Sequence, residues 1–442
     1  MKPLLTRRLS RRKLLALGGA TLAGSLLDRV AAQTPQASEL IRIGVVLPTR
    51  TGLTPVRAAA YQVAGDAAKR GAVMAEEEFG FNAELLGKRL EVRVATGPDN
   101  DAVLRAAERL TSAEEVFALI GGYGAEASAA LSDLAEARRI PYFNIGSPSD
   151  ALRGEGCRRH TFHVEASAAM YLDALVAWFI RSAFRRWYVV YPDSATGNAL
   201  VERARTSLND RHFGGEEVGS TALAPDQQNF SEVLREVRAA EPEVVLLLLD
   251  PVAQLDFLGQ YDVATSRGGL EAQVAGFPDP VTQTRTFYAA SVNTAPRAGT
   301  GYRASLWEAR LDAYGARELN QRFLERWGTP MDGPAWAAYQ SVKMLYEAAA
   351  FTNSLESADI LGYLEDPQTT FDVHKGIGVS FRPWDHQLRQ PLYLVKLNPD
   401  AERAWGLASL VGELPALYMP DTDPVERLDQ LGDLARASGC RF

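Results

Sequence analysis

At 442 residues the chain is longer than one hydrophobic core serves, so two compact lobes are expected. Hydrophobic residues make up 46% and charged residues 23%, which supplies enough apolar surface to fold and excludes disorder at the level of composition. Lys and Arg number 47 against 55 Asp and Glu, a net charge of −8, and this acidic balance excludes a dedicated nucleic-acid surface.

The chain opens with Ser10, Arg11, Arg12 and Lys13 ahead of an apolar run at 14–27 that Gly18, Gly19 and Gly24 interrupt. This is the layout of a twin-arginine export signal. Val30, Ala31 and Ala32 supply the small residues a signal peptidase reads, so 1–32 is expected to be cleaved at Ala32/Gln33. The apolar run of 14–27 is shorter than the roughly 20 residues needed to span a bilayer, and no cysteine follows it to carry a lipid anchor. A soluble periplasmic protein is the expectation.

From Ile41 onward, short β-branched or apolar runs alternate with longer segments of helical period, the signature of βα units around a parallel sheet. Strands are predicted at 42–47, 90–95, 116–120 and 142–145, with helices at 67–79, 102–111 and 128–138 between them. The pattern then restarts, with strands at 187–191, 217–221, 244–249 and 273–276 and helices near 198–209 and 231–240. Leu246 to Leu249 is apolar throughout, as a central parallel strand covered on both faces requires. After Asn293 come two long helical segments, 307–327 and 334–351, and a last strand at 392–397. The reading is an α/β fold of two lobes, each a parallel sheet flanked by helices, joined by hinge strands. Lobe 1 takes 41–164 plus 293–380, lobe 2 takes 165–292 plus 381–398, and 399–442 is a C-terminal extension.

Catalytic constellations are not found. His160 and His163 lack carboxylates or cysteines at metal spacing and are read as surface or structural residues. Gly121, Gly122 and Gly124 follow a strand and precede a helix without a GxGxxG pattern or a phosphate-loop lysine, so they are read as a close backbone approach to a ligand at a helix N-terminus. No enzymatic activity, metal or cofactor is expected. Cys157 and Cys440 are the only cysteines, and the sequence leaves open whether they form one long-range bridge or stay as thiols.

Four stretches carry a resemblance over nearly the whole mature chain: 41–48, 119–133, 140–149 (IPYFNIGSPS) and 333–345 (GPAWAAYQSVKML). In this order and spacing they resemble the type I periplasmic binding proteins of ABC transporters, in the group that includes the leucine, isoleucine and valine binders. A narrower likeness, in Cys157, His163, 168–175, 380–391 (SFRPWDHQLRQP) and 428–440, is to a subgroup encoded beside quinoprotein alcohol-dehydrogenase systems. That likeness implies a Cys157–Cys440 disulfide. Arg382, Trp384, Asp385 and Arg389 form a dense polar and aromatic set there, read as a hinge brace in preference to a ligand contact.

The resemblance implies ligand contacts at Tyr123, Gly124, Ala125 and Ser128 in the glycine turn and at Gly146 and Ser147 in the next loop. In the second lobe it implies Thr196, Asp250 and Asp279. Ala125, Glu126 and Ala127 stand where amino-acid binders of the group have hydroxyl residues, and Thr196 where they have a tyrosine. Asp279 could pair with an ammonium or serve as a cap or turn residue. The implied function is capture of a small polar organic molecule, amino acid-like or a small organic acid, by closure of a cleft, and delivery to an inner-membrane ABC permease by a monomer. The alternatives are a sensor or accessory of periplasmic alcohol oxidation and, less so, a periplasmic enzyme.

Overall fold

The computed structural model describes residues 39–49, 56–225, 227–268, 270–298, 301–417 and 419–442, and the expected export signal at 1–32 lies outside them. In β1 (Glu39–Pro48) the residues Ile41, Ile43, Val45 and Leu47 are buried on one face and Gly44 and Val46 on the other. A strand covered on both sides belongs inside a parallel sheet. The sheet runs β2 (Lys88–Gly97), β1, β3 (Ala118–Gly121), β4 (Tyr142–Asn144), β5 (Thr161–His163), with every pair parallel. Helix α1 (Val56–Leu85) packs on the Ile41 face, while α2 (Asn100–Ser112) and α3 (Ala125–Arg138) share a core with Val46 on the other. Gly44 makes room there, since a Cβ at that position would meet Leu119 at 3.0 Å and Leu110 at 3.2 Å.

A second sheet has β12 (Ala408–Leu414) at one edge, then β11 (Leu392–Leu397), β10 (Tyr302–Ser305), β9 (Gln273–Gly276), β8 (Val244–Leu247), β6 (Arg186–Pro192) and β7 (Glu216–Leu223). From β7 to β10 it is parallel, and β11 and β12 join antiparallel. Val244–Leu247 is fully buried at its centre, as its unbroken apolar run demands. Helices α4 (Ala168–Arg181), α5 (Ala195–Thr206), α6 (Ser231–Ala240), α7 (Pro251–Ser266) and α8 (Arg285–Thr294) belong to this half of the chain. The chain then supplies α9 (Ala316–Trp327), α10 (Gly333–Thr352) and α11 (Ser357–Glu365). Helix α10 lies against α1 so closely that a Cβ on Gly71 would fall 2.0 Å from the Ala335 carbonyl oxygen.

The structure therefore has the two helix-flanked sheets that the sequence pattern calls for, with three differences of detail. The return to the first lobe, expected from 293, begins only after Ser305, because β10 still pairs with β9. The helix expected from 307 begins at Ala316, since Trp307 and Glu308 are buried in an irregular, turn-containing crossing and the Trp307 Nε1 donates to Asn320 Oδ1 at 2.8 Å. The extension expected at 399–442 contributes β12 to the second sheet.

Three segments cross between the sheets: residues 164–167, 306–315 and 388–391. The third leaves the first sheet where His163 and Gln387 form a parallel bridge, and enters the second at Leu392. The tail beyond β12, including α12 (Pro424–Asp429), is bonded to this region. Arg382, 1% exposed, donates through Nη2 to the carbonyls of Leu428 at 2.6 Å and Leu431 at 2.7 Å. Arg389 pairs with Asp429 at 2.7 and 3.2 Å, and both guanidiniums lie over the Trp384 ring. Cys157 and Cys440 are joined by a disulfide.

Candidate functional site

The glycine turn after β3 is built by close contacts. A Cβ on Gly121 would lie 2.5 Å from the Val46 carbonyl oxygen and one on Gly122 1.9 Å from the Tyr142 hydroxyl, and Gly122 has φ 88°, so glycine is required on both counts. Tyr123 is carried between Gly122 and Gly124, its ring against Gly146, where a Cβ would fall 2.8 Å from Tyr123 Cγ. It meets Tyr61 of α1 edge-on at 6.4 Å. Gly124 then starts α3, whose N-terminus no side chain caps.

Tyr61, Tyr123, Gly124 and Ala125 line a cleft of about 350 Å³ together with Pro48, Asn100, Glu126 and, from the second lobe, Thr196 in the first turn of α5. Tyr123, Gly124, Ala125 and Thr196 are thus brought together, and among the described lining residues there is no lysine, arginine or histidine.

The remaining expected contacts are not among the lining residues, though Asp279 touches one of them. Ser128 is fully buried with its Oγ 2.9 Å from the Tyr142 hydroxyl, so it braces the turn from beneath. Ser147 is also buried; its carbonyl accepts from Asn144 and Arg153, and its Oγ accepts from the Ser149 N–H at 3.4 Å. Gly146 provides the close approach under Tyr123, its N–H donating to Asn144 Oδ1 and its carbonyl accepting from the Gly124 N–H. Asp250 caps α7 by accepting from the N–H groups of Val252 and Ala253. Asp279 accepts from Val281 and Thr282 N–H, and its carboxylate also takes a hydrogen bond from Tyr61 across the cleft. Burial pushes the Asp279 carboxyl up to about 6, and the Asp279 charge, more than burial, raises the Tyr61 phenol well above its ordinary value.

Sequence reasoning does not single out Tyr61, which lines the cleft, or Glu165 and Asp332, whose charges act on the lining residue Tyr123. Tyr61 lies in an alanine-rich helix with nothing local to mark it. Glu165, in the first crossing, is 1% exposed, and burial pushes its carboxyl up to about 8. Asp332 caps α10 and is pushed up to about 6 by burial. Tyr123, 7% exposed, has its phenol raised well above the usual range by burial first and then by Glu165 and Asp332. Its hydroxyl has no hydrogen-bond partner among the described residues.

His163 is buried with Nδ1 3.0 Å from the Asn144 amide nitrogen, and His160 pairs with Glu136 at 2.8 Å. No group of three or more potential metal ligands occurs among the described residues, and no described helix is long and apolar enough to cross a membrane.

A family model described as periplasmic binding protein matches residues 41–402. Among curated proteins, the Leu/Ile/Val-binding protein homologs 7 and 8 of Brucella abortus (strain 2308) are 24% and 26% identical over 190 residues, which is 41% of this chain and 47% of theirs. The match thus spans about half the length of these relatives. Among solved structures, an amino acid ABC transporter substrate-binding protein from Pseudomonas fluorescens Pf-5 superposes with a TM-score of 0.74 at 19% identity, covering 92% of this chain and all of that one. A branched chain amino acid ABC transporter periplasmic ligand-binding protein from Burkholderia xenovorans LB400 gives 0.75 at 18%, covering 90% and 99%. A solute binding protein from R. palustris in complex with benzoate gives 0.68 at 16%, covering 91% and 100%. At these identities the structural likeness concerns the fold.

Proposed function

The chain belongs to the periplasmic binding protein family, and from that premise we propose that it captures a small polar organic molecule between its lobes in the periplasm and delivers it to an inner-membrane ABC permease. The observation that carries the choice of ligand is the charge of the cleft. Asp99 and Glu126 line it, the charges of Asp279 and Glu165 reach its lining residue Tyr61 from behind, and no described basic side chain lines it. A site of this sign favours a ligand with an ammonium group over a simple organic acid. The uncapped N-terminus of α3 offers backbone N–H groups to the ligand's other, electron-rich end. An amino acid or an amino alcohol satisfies both. The disulfide agrees with an oxidising compartment.

A second reading, ligand sensing beside an alcohol-oxidation system, has one observation in its favour. The stretches that carry the narrower resemblance are bonded to one another: Cys157 to Cys440, Arg382 to the Leu428 carbonyl, and Gly432 N–H to Asp173.

Calorimetry and thermal melts with a panel of polar metabolites test the first reading. A ligand at 100 times its Kd should stabilise the protein by about 2.7 kcal/mol. Tyr123→Phe, which removes only the unpartnered hydroxyl, should weaken that ligand by roughly 0.5 to 2 kcal/mol and leave the ligand-free melt unchanged or raised. Unchanged affinity would put the site elsewhere.

A further inference from the structure

Glu165 stands where the three crossings meet. Its Oε1 accepts from the Tyr171 hydroxyl at 2.6 Å, and that oxygen accepts from Gln283 Nε2 at 2.8 Å. Gln283 Oε1 accepts from the Leu306 N–H at 2.7 Å, at the start of the second crossing. The Glu165 carbonyl accepts from Gln387 Nε2 at 3.1 Å, just before the third, and from Arg153 Nη2 at 2.7 Å. A residue of the first crossing is thereby tied to both of the others. Yet Glu165 Oε2 is buried and has no hydrogen-bond partner among the described residues, a state that is costly unless something arrives to fill it.

We propose that Glu165 Oε2 is the deep acceptor for the ligand's protonated amine, and that capture releases the carboxyl proton to solvent, so that ligand recognition and the arrangement of the hinge are one event. The proposal rests on the binding-protein reading above and names the residue that would make that binding amine-selective and proton-linked. The balance is simple: the neutral carboxyl and the ammonium become a carboxylate–ammonium pair, and one proton passes to buffer.

The groups that face Glu165 come from every element around it. Burial and Asp279 hold the carboxyl protonated, while Tyr171, Arg153 and Gln283 work against this. Tyr61, Tyr123 and Lys375 also feel its charge. Neither cation is placed on the free oxygen. Arg153 is engaged by the carbonyls of Ser147, Ser149 and Glu165 and by Gln387, and Lys375 by Gln390 and the Pro391 carbonyl. An ammonium from outside supplies the missing donor and the missing positive charge together.

The test uses matched pairs at pH 7: benzylamine and benzoate, 3-methylbutylamine and 4-methylpentanoate, with L-leucine and a wider set of polar metabolites sorted by charge. Amine-bearing compounds should raise the melting temperature and their carboxylate-only partners should not. Titration calorimetry of the tightest amine in phosphate and in Tris should show about 0.9 proton released per ligand at pH 7, since the carboxyl titrates at about 8, and less as the pH rises past 8. Glu165→Gln should weaken that amine about 10- to 150-fold and abolish the proton release. The same variant reports on its own folding. An acid whose pKa is raised by folding makes stability fall as pH rises from about 4 to about 8, so the ligand-free wild type should lose melting temperature across that window and Glu165→Gln should lose less. A carboxylate-only ligand that binds as well as its amine partner overturns the proposal, as does a folded Glu165→Gln protein that keeps affinity and proton release; both leave the binding-protein reading intact. If no compound of any charge shifts the melt, that reading itself fails and the proposal with it.

Discussion

Glu308→Leu should destabilise the protein by about 3 to 5 kcal/mol, because it strands a buried guanidinium. Glu308, fully buried in the second crossing, accepts from Arg285 Nη2 at 2.5 Å and from the Arg310 N–H at 3.2 Å. Arg285, at the start of α8, is itself 6% exposed, and its Nε and Nη1 have no hydrogen-bond partner among the described residues. The pair is therefore incompletely satisfied, and its Coulomb attraction is offset by the desolvation of both ions. Removing the carboxylate leaves the desolvated cation with only the Tyr288 ring at 5.5 Å and the charge of Asp332. The double substitution Arg285→Met with Glu308→Leu removes both charges at similar volume and should recover most of the loss. Denaturant melts of the two single variants and the double give the coupling directly. A double variant no better than the worse single would show that packing around the crossing, and not charge, sets the effect.

What the sequence makes legible here is what repeats. Residues 43–48 of β1 and all of β8 are continuous apolar runs, so their place inside covered parallel sheets follows from composition alone. β5 and β10 are not legible in the sequence because they are three and four residues long and carry Thr161, His163, Arg303 and Ser305. Their polarity is absorbed by distant partners: Ser132 on Thr161 at 2.6 Å, Asn144 on His163, and Gln254 on Arg303 at 3.0 Å. α4 was not singled out by period because it buries residues on every side, from Ala168 to Val176. The site divides in the same way. A strand followed by a glycine turn marks the Tyr123 loop, since the need for glycine is local. The direction of a side chain is not local, so Ser128 reads as a hydroxyl donor to the cleft and is found turned under the sheet toward Tyr142. Tyr61, Asp279 and Glu165 meet only because α1, the loop after β9 and the first crossing converge, and no spacing in the chain records that.

Replacing both Cys157 and Cys440 with serine should lower stability by about 2 to 5 kcal/mol and loosen the tail from the first lobe. The bridge closes a sequence separation of 283 residues, so its loss frees a long loop in the unfolded chain, the condition under which a disulfide contributes most. In the folded protein it anchors a tail that is otherwise held from the second lobe and the third crossing. Gly432 N–H donates to Asp173 Oδ2 at 2.9 Å, and Arg203 spans Asp173 and Asp433. Arg382, just before the third crossing, and Arg389, within it, grip 428–431. Toward the end of the chain the non-covalent ties thin out to Ser438 Oγ donating to the Trp384 carbonyl at 3.1 Å and the Phe442 ring over His386 at 4.1 Å. Without the disulfide the segment beyond 433 should fray while α12 stays docked. Limited trypsin digestion of the variant should therefore cut at Arg436 or Arg441 well before it cuts at Arg427, and wild type should show the same pattern only after reduction. Melting with and without reductant separates the two contributions: reductant should lower the wild-type transition to that of the variant and leave the variant unmoved. A variant that melts and digests like the oxidised wild type would mean that Arg382, Arg389 and Asp173 hold the tail unaided.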